Sequence, residues 1–353
     1  MNTSKRVCPT ALRRFVCATY ETAGMPRLDA ELVADSLVQA DLWGHQSHGV
    51  LRTRWYLERL RSGVMRATTE PTSPIDGGAF TVIDGADGVG HVVARHAMLS
   101  GIERAKKHGI GAVAVRNSNH FGTVMYFTRM AAQKGCIAFM TSNGGPALAP
   151  WGGVDKLIGT NPWSISAPVG NGDPLMTDLA NTGVARGKIH LAKQRREAIP
   201  VGWALAPDGT PTTDPAEAIA GVILPMANHK GYAIATAMDM LAGVLTGSGF
   251  LDEVNGPYHY DKQSRAGHFL FVVNIEAFMP REQFDIRMRD FVARLKNGRK
   301  AQGVAEIFYP GEPEAHSDRR NRSEGLLLPE DTLSDLAAIA QEQQLSHLFP
   351  SQL

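Results

Sequence analysis

The chain has 353 residues, of which 43% are hydrophobic and 20% charged, a balance typical of a soluble globular protein with an ample core. With 36 basic and 35 acidic residues its net charge is +1, so no strong field favours nucleic acid or an anionic membrane. The three cysteines lack a C-x-x-C spacing, and no apolar run approaches the roughly 18 residues of a membrane span. We therefore expect a cytoplasmic α/β protein without nucleic-acid or membrane partners.

The first sixty residues predict three helices. Apolar residues at helical spacing predict a helix over residues 9–23. Asp29 is placed to cap a second helix that ends at Leu42, and Ser47 is placed to cap a third over residues 50–61. Two successive helices are also typical of a helix-turn-helix, but the neutral charge disfavours DNA binding.

The middle of the chain alternates strands and helices, with a polar, glycine-rich loop after each main strand. Such loops gather at one edge of an α/β sheet and form a pocket there, although each is also an ordinary turn sequence. The glycines of residues 84–90 are spaced G-x-x-G-x-G, so the G-x-G-x-x-G dinucleotide fingerprint is missing. The patterns predict strands at 80–84, 109–115 and 135–140, helices at 92–108 and 125–134, and loops at 116–122, 141–146, 159–162 and 177–182.

The last third of the chain predicts further elements with less regular spacing. Residues 231–245 are rich in Ala, Met and Gly, which suits a tightly buried helix, whereas 314–324 are charged and aperiodic and are expected to be solvated. The other predicted segments are a basic helix at 186–196, a strand starting at 200–203, a strand at 268–275, a charged helix at 281–295, a loop at 310–313 and a helix at 331–343.

Two histidines and an arginine are the first candidates for chemistry. Arg52 follows His48 by four residues at the start of a predicted helix, an arrangement that suits a carboxylate clamp beside a proton donor. The alternative is a capping serine next to a structural histidine. His45 and His48 form H-x-x-H, but no third ligand lies nearby, so we predict no metal site.

Three later residues complete the candidate set. His120 follows a predicted strand, where it is either an acid/base group or a histidine bonded to loop backbone. Asp178 is either a helix cap or the partner that orients a histidine. Lys230 precedes a long apolar helix, and a lysine at a helix N-terminus suits phosphate or carboxylate binding; otherwise it is an ordinary exposed lysine.

Seven short motifs occur in order along nearly the whole chain: Ser47-His-Gly-Val-Leu-Arg52, Ser118-Asn-His-Phe-Gly122, Pro150-Trp-Gly-Gly153, Gly159-Thr-Asn-Pro162, Thr177-Asp-Leu-Ala180, Pro211-Thr-Thr-Asp-Pro215 and Lys230-Gly-Tyr232. On these motifs the chain resembles the malate/L-lactate dehydrogenase family of the non-Rossmann type. The resemblance implies an α/β homodimer, with a mixed-sheet cofactor domain inserted in a helical-plus-sheet first domain. The cofactor domain would be residues 121–274, and the first domain residues 1–120 plus 275–353.

The resemblance also implies roles for individual residues. The catalytic residues would be His48 and His120, with Ser47 and Asp178 in a relay to the histidine. The substrate carboxylate would be bound by Arg52, with His120 and Lys230 beside it. The implied contacts of NAD or NADP are His48, Gly144, Thr160, Asp178, Leu179, Ala180, His229, Lys230, Gly311 and Glu312.

The implied function is transfer of a hydride between a nicotinamide cofactor and C2 of a small 2-hydroxy or 2-oxo acid. Two alternatives stay open: reduction of a cyclic imine carboxylate, and a relative that binds the cofactor without turnover. The choice between NAD and NADP also stays open, because no acidic residue follows a fingerprint glycine motif.

Overall fold

The computed structural model describes residues 5–184 and 186–350. The helices α1 to α11 are Pro9–Thr22, Arg27–Leu42, Thr53–Arg61, Gly90–His108, Met125–Gln133, Arg186–Arg195, Pro215–Ala220, His229–Asp239, Arg281–Lys296, Glu312–Glu324 and Glu330–Glu342. The strands β1 to β11 are Lys5–Val7, Thr72–Asp76, Phe80–Asp84, Ile110–Ser118, Cys136–Ser142, Trp163–Ala167, Leu175–Met176, Ala204–Leu205, Val222–Ile223, Ala266–Asn274 and Leu326–Leu328. No described helix is long and apolar enough to cross a bilayer.

A mixed sheet of seven strands forms the centre of the molecule, in the order β2-β3-β4-β10-β5-β6-β7. Only β3 and β4 are parallel among these neighbours; the other pairs are antiparallel. The helices α4 and α5 cover one face of the sheet. Along each strand, successive side chains point alternately to this face and to the opposite face. Strands from both sides of the predicted boundary at residue 120 share this sheet, and the division into two domains stays a prediction.

A second, helical core is built from both ends of the chain. Residues of α1, α2 and α3 pack with apolar residues of β11 and α11 in one cluster. Strand β1 pairs antiparallel with β11, with Lys5 opposite Leu328. The first and last described segments therefore form one layer, and Trp43, directly after α2, packs in the core of the sheet.

Two predicted caps were wrong. Helix α2 begins at Arg27 after Pro26, so Asp29 lies within its first turn instead of capping it. Before α3 the chain forms two short 3₁₀ turns, Gln46–His48 and Val50–Arg52, and the Ser47 hydroxyl contacts His48 instead of a backbone N–H.

Three other segments also differ from prediction. The strand expected at 200–203 begins at Ala204, after a turn. Residues 314–324 belong to α10, where only Glu312 and Ala315 are buried, so no apolar repeat marks the helix. The helix over 231–245 exists as α8 and a π-helical turn, Met240–Val244, but one of its faces is exposed.

The fold should be sensitive to substitution at Gly267. It interrupts the pairing of β10 with β4, and a β-carbon there would overlap Ala242 O of the π-helical turn. Because backbone has to move to admit a methyl group, we expect Gly267→Ala to cost roughly 1–3 kcal/mol of unfolding free energy. Urea unfolding measures this cost. Gly298→Ala is the control, since its β-carbon would meet Leu295 O at 3.4 Å and Ile307 Cδ1 at 3.6 Å without overlap; equal stability of the two variants would contradict the prediction.

Candidate active site

The loop that carries Ser47 and His48 is fixed from beneath by Asp41, a buried residue of α2. Asp41 Oδ2 accepts a hydrogen bond of 2.8 Å from Val50 N. A β-carbon on Gly49 would overlap the Asp41 carboxyl group, so only glycine fits between that group and the loop. The Ser-His-Gly sequence is therefore a packing requirement as well as a source of functional side chains.

The guanidinium group of Arg52 is held on one side and open on the other. Its Nε donates to Ser47 O at 2.6 Å, and its Cζ lies 3.6 Å from the centre of the Trp55 ring. Within residues 5–184 and 186–350, no hydrogen bond to protein is found for Nη1 or Nη2. Two parallel N–H donors in a fixed plane match the two oxygens of a carboxylate.

His120 follows β4, and its ring is oriented by two donors. The Tyr56 hydroxyl lies 2.6 Å from Nδ1, and Gly122 N donates to the same nitrogen at 3.3 Å. A backbone N–H can only donate, so Nδ1 acts as an acceptor. We infer that the neutral ring carries its proton on Nε2.

His48 and His120 lie side by side in one cleft. Their ring centroids are 5.8 Å apart and their planes differ by 16°. Ser47 Oγ lies 2.9 Å from His48 Nδ1, so each histidine has its Nδ1 engaged by protein and its Nε2 available to a ligand. The cleft consists of adjoining cavities of about 100 and 360 Å³; His48 lines both, and Arg52 lines the larger.

Both histidines are neutral at pH 7 in the free chain. Burial, followed by the charges of Arg52 and His45, lowers the pKa of His48 to about 4. The pKa of His120 is lowered well below its ordinary value by burial first and then by His48 and Arg52. A ligand carboxylate on Arg52 would offset its charge and raise the pKa of both histidines.

Asp178 lines the larger cavity but is held by a helix instead of a histidine. Its Oδ2 accepts a hydrogen bond of 2.9 Å from Met125 N, in the first turn of α5, where a carboxylate is favoured. Burial raises the pKa of Asp178 to about 6. The described contacts contain no hydrogen bond from Asp178 to His48 or His120, so the relay through Asp178 stays a prediction.

The other predicted contacts divide into two groups. Gly144 lines the smaller cavity, Ala180 the larger, and Thr160 both. The remaining predicted residues, Leu179, His229, Lys230, Gly311 and Glu312, are not among the residues that line either cavity. Lys230 is exposed at the start of α8, and the Glu312 carboxylate pairs with Lys296.

The cleft has features that fit a nicotinamide cofactor. Thr123 lines the larger cavity, and its buried hydroxyl has no hydrogen-bond partner within the described chain. A β-carbon on Gly144 would meet nothing within 4 Å, which leaves room for a ring against the backbone. In residues 5–184 and 186–350, no three His, Cys, Asp or Glu side chains gather as metal ligands.

Sequence reasoning missed four residues that shape this site: Asp41, Trp55, Tyr56 and Arg59. Arg59 is buried in α3 and donates to Asn119 Oδ1 at 3.0 Å. A signal for two of the four was present, since Tyr56 and Arg59 repeat the spacing of a helix face that begins at Arg52.

The family model of the malate/L-lactate dehydrogenases matches residues 7–337. The chain belongs to this family. A malate dehydrogenase of Pyrococcus abyssi is 36% identical over 344 residues, which cover 95% of this chain and 94% of that protein. A (2R)-3-sulfolactate dehydrogenase (NADP(+)) of Chromohalobacter salexigens is 36% identical over 328 residues, which cover 92% and 94%. A solved sulfolactate dehydrogenase of Methanocaldococcus jannaschii has a TM-score of 0.91 and 35% identity, covering 96% of this chain and 98% of that chain.

These similarities confirm the predicted family and fold class. The chain is a dehydrogenase of the 2-hydroxyacid class and uses NAD or NADP. The missing glycine fingerprint fits the sheet order: among the strands of the described seven-stranded sheet only β3 and β4 are parallel neighbours, so the sheet is not of the doubly wound type.

The buried carboxyl group of Asp41 should make the stability of this dehydrogenase depend on pH. Burial raises the pKa of Asp41 to about 8, whereas an unfolded aspartate titrates near ~3.9. Between these values only the folded state holds the proton, so the contribution to stability is full below about pH 4 and is lost as the pH rises towards 8. Asp41→Asn keeps the acceptor for Val50 N and does not titrate, so it should remove that decline. Urea unfolding from pH 5 to 8 tests this; parallel profiles of the two proteins would contradict it.

Proposed function

We propose that this dehydrogenase interconverts a small, malate- or lactate-like 2-hydroxy acid and its 2-oxo acid, with NAD or NADP as the cofactor. The observation that carries the proposal is the pairing of Arg52, with both Nη groups open, and two histidines in one cleft. The malate and sulfolactate dehydrogenases among its relatives support the substrate class. Bound nicotinamide would supply or accept the hydride at C2 of the acid.

Arg52 would bind the carboxylate and orient the acid. Its Nε bond to Ser47 O and its stacking on Trp55 hold the guanidinium plane before a ligand arrives. Preorganised donors lose little entropy on binding, and a bidentate contact fixes the direction of the bond from C1 to C2. The open Nη groups are therefore the part of the site that defines the substrate as an acid.

His48 or His120 would move the proton of the substrate oxygen. In the oxidative direction a neutral imidazole accepts the hydroxyl proton at its unprotonated nitrogen, and both rings are neutral at pH 7 in the free chain. His48 can accept at Nε2 when its Nδ1 donates to Ser47 Oγ, whereas His120 would first have to move its proton from Nε2 to Nδ1. In the reductive direction, a substrate carboxylate on Arg52 raises the pKa of the histidines, and the resulting imidazolium returns the proton. We rank His48 first because it lines both cavities.

The cofactor would lie along residues on the sheet side of the cleft. Thr123 adds an unpartnered hydroxyl to the contacts implied by the family resemblance, and Asp178 is fixed beside it by α5. The implied contacts outside the two cavities, at α8 and at the start of α10, extend the binding surface beyond the cleft. The proposed set is His48, Gly144, Thr160, Asp178, Leu179, Ala180, His229, Lys230, Gly311 and Glu312.

The test of this function is NADH and NADPH oxidation by the purified protein with pyruvate, oxaloacetate, 3-sulfopyruvate and piperideine-2-carboxylate. Turnover with a 2-oxo acid is the expected result and also identifies the cofactor. Turnover with the cyclic imine alone would favour the alternative reductase. Binding of cofactor without turnover on any compound would contradict the proposal.

His48→Ala and His120→Ala should each lower kcat without unfolding the protein, by up to a factor on the order of 10² to 10⁴ for the residue that moves the proton. His347→Ala is the control, since this histidine is exposed and lines neither cavity. In the oxidative direction, kcat/KM of the unsubstituted enzyme should stay level from pH 8 down to 6, because the pKa of His48 is lowered to about 4 and its ring is already neutral. Full activity of both alanine variants would contradict these roles.

We also propose that the dehydrogenase is a homodimer, as the family resemblance implies. The exposed face after α8 carries Met240, Val244 and Leu245, with 53, 59 and 58% of their surfaces exposed. Contiguous apolar side chains on a surface are typical of a protein interface. A second copy of this chain is the occupant we assign to this face.

Met240→Glu combined with Val244→Glu should convert the dimer to a monomer, because two carboxylates would have to be desolvated in the interface. Light scattering after size-exclusion chromatography measures the mass. Val201→Glu is the control, since Val201 is an isolated exposed side chain in a turn. A mass unchanged by the double substitution would place the interface elsewhere.

A further inference from the structure

Arg59 is a buried cation whose hydrogen-bond acceptors are all uncharged. It is 1% exposed, in the middle of α3. Its Nη2 donates to Asn119 Oδ1 at 3.0 Å and to Lys262 O at 3.3 Å, and its Nη1 donates to His259 O. A buried charge is costly unless it is hydrogen-bonded, so these three acceptors and the guanidinium group fix one another in place.

The acceptors belong to two segments that meet at the cleft. Asn119 directly precedes His120, and its Nδ2 donates to Gly88 O at 2.8 Å. His259 and Lys262 lie in the loop of residues 254–264, which we call the cleft loop. Arg59 is therefore a direct link between the His120 segment and the cleft loop.

The cleft loop is closed at its base and forms a wall of the smaller cavity. Asn255 N donates to Ser264 O, and Ser264 Oγ donates to Asn255 O, both at 2.9 Å. These two residues line the cavity together with Val254 and Gly256. A β-carbon on Gly145 would lie 3.1 Å from Gly256 N, so the base of the loop packs closely on the opposite wall. A small displacement of the loop would thus change the width of the cavity.

Few other contacts hold the tip of the cleft loop. Gln263 Nε2 donates to Asp87 Oδ2 at 2.8 Å on the surface, and the Tyr258 ring lies 6.1 Å from the Trp55 ring. An exposed hydrogen bond from a side-chain amide and an edge-on contact between two rings each contribute little to the stability of the loop. The bonds from Arg59 to His259 O and Lys262 O are partly buried and charge-assisted, so they are the main attachment of the tip among the described contacts.

We propose that Arg59 is a positioning residue: it fixes the cleft loop relative to His120, and the loop thereby sets the size of the acid side chain that the smaller cavity accepts. The proposal rests on the proposed function in one respect, since it takes this cleft as the substrate site. Arg59 itself does not line either cavity, so its effect reaches the substrate through the loop and the His120 segment.

The experiment compares two arginines of the same helix. Arg59→Met removes the link. Arg54→Met removes a similar number of hydrogen bonds, which Arg54 donates to Asp335 and Glu342 on the side of α3 that packs against α11. For each variant, kcat/KM is measured with pyruvate and with 2-oxobutanoate, and trypsin cleavage after Lys262 is followed by mass spectrometry. The ratio of the two kcat/KM values does not depend on the fraction of folded enzyme, so a loss of stability alone leaves it unchanged.

The expected result for Arg59→Met is a ratio changed at least fivefold and faster cleavage after Lys262, with neither change in Arg54→Met. A ratio within twofold of the original and unaltered cleavage would overturn the proposal. If the unsubstituted protein turns over oxaloacetate or 3-sulfopyruvate but not pyruvate or 2-oxobutanoate, the ratio is measured with those two acids instead. If it turns over no 2-oxo acid, the proposed function fails, and the cleavage rate alone then decides whether Arg59 fixes the loop. Arg59→Lys, which keeps the buried charge but cannot reach both segments with one ammonium group, is the second variant if Arg59→Met does not fold.

Discussion

The cleft depends on the geometry of one helix face. Arg52 directly precedes α3, and Tyr56 and Arg59 lie within it at spacings of four and three residues, so the three side chains project from the same side of the helix. The first leaves its Nη groups open, the second contacts His120 Nδ1, and the third bonds the segment before His120. A rigid helix thus sets the distance between the carboxylate anchor and the histidine, and a shift of α3 would disturb all three contacts together.

Local sequence patterns were enough to predict most helices and the main strands. Residues 9–22, 125–133 and 266–274 combine regular apolar spacing with clear ends, and their bounds were predicted to within about two residues. His120 became a candidate because a polar group at a strand end is easy to recognise, and His48 and Arg52 became candidates because they lie close together between two predicted helices. Two histidines and Arg52 share one cleft in the structure, whereas Lys230 lines neither cavity, and the roles of these residues stay predictions.

Local patterns could not predict the features that depend on contacts between residues far apart in the sequence. Helix α10 buries almost no apolar side chain, so it has no periodic signal, and the Ser47 cap failed because Asp41 holds the loop from another helix. The contacts of Arg59 join residues 60 and about 200 positions apart. No short stretch of sequence contains both residues of such a contact, so the partner of each residue cannot be predicted before the fold is known.

The pairing of β1 with β11 has a consequence for how the chain reaches its native state. Residues 5–7 cannot pair until residues 326–328 are present, and the helical core built from α1, α2 and α3 is completed by Leu336 and Ile339 of α11. On the ribosome this layer would stay unfinished until residues 326–339 have been synthesised, with the apolar faces of the first helices uncovered meanwhile. The high sequence separation of these contacts predicts slow, late closure of the layer and a need for protection of the nascent chain.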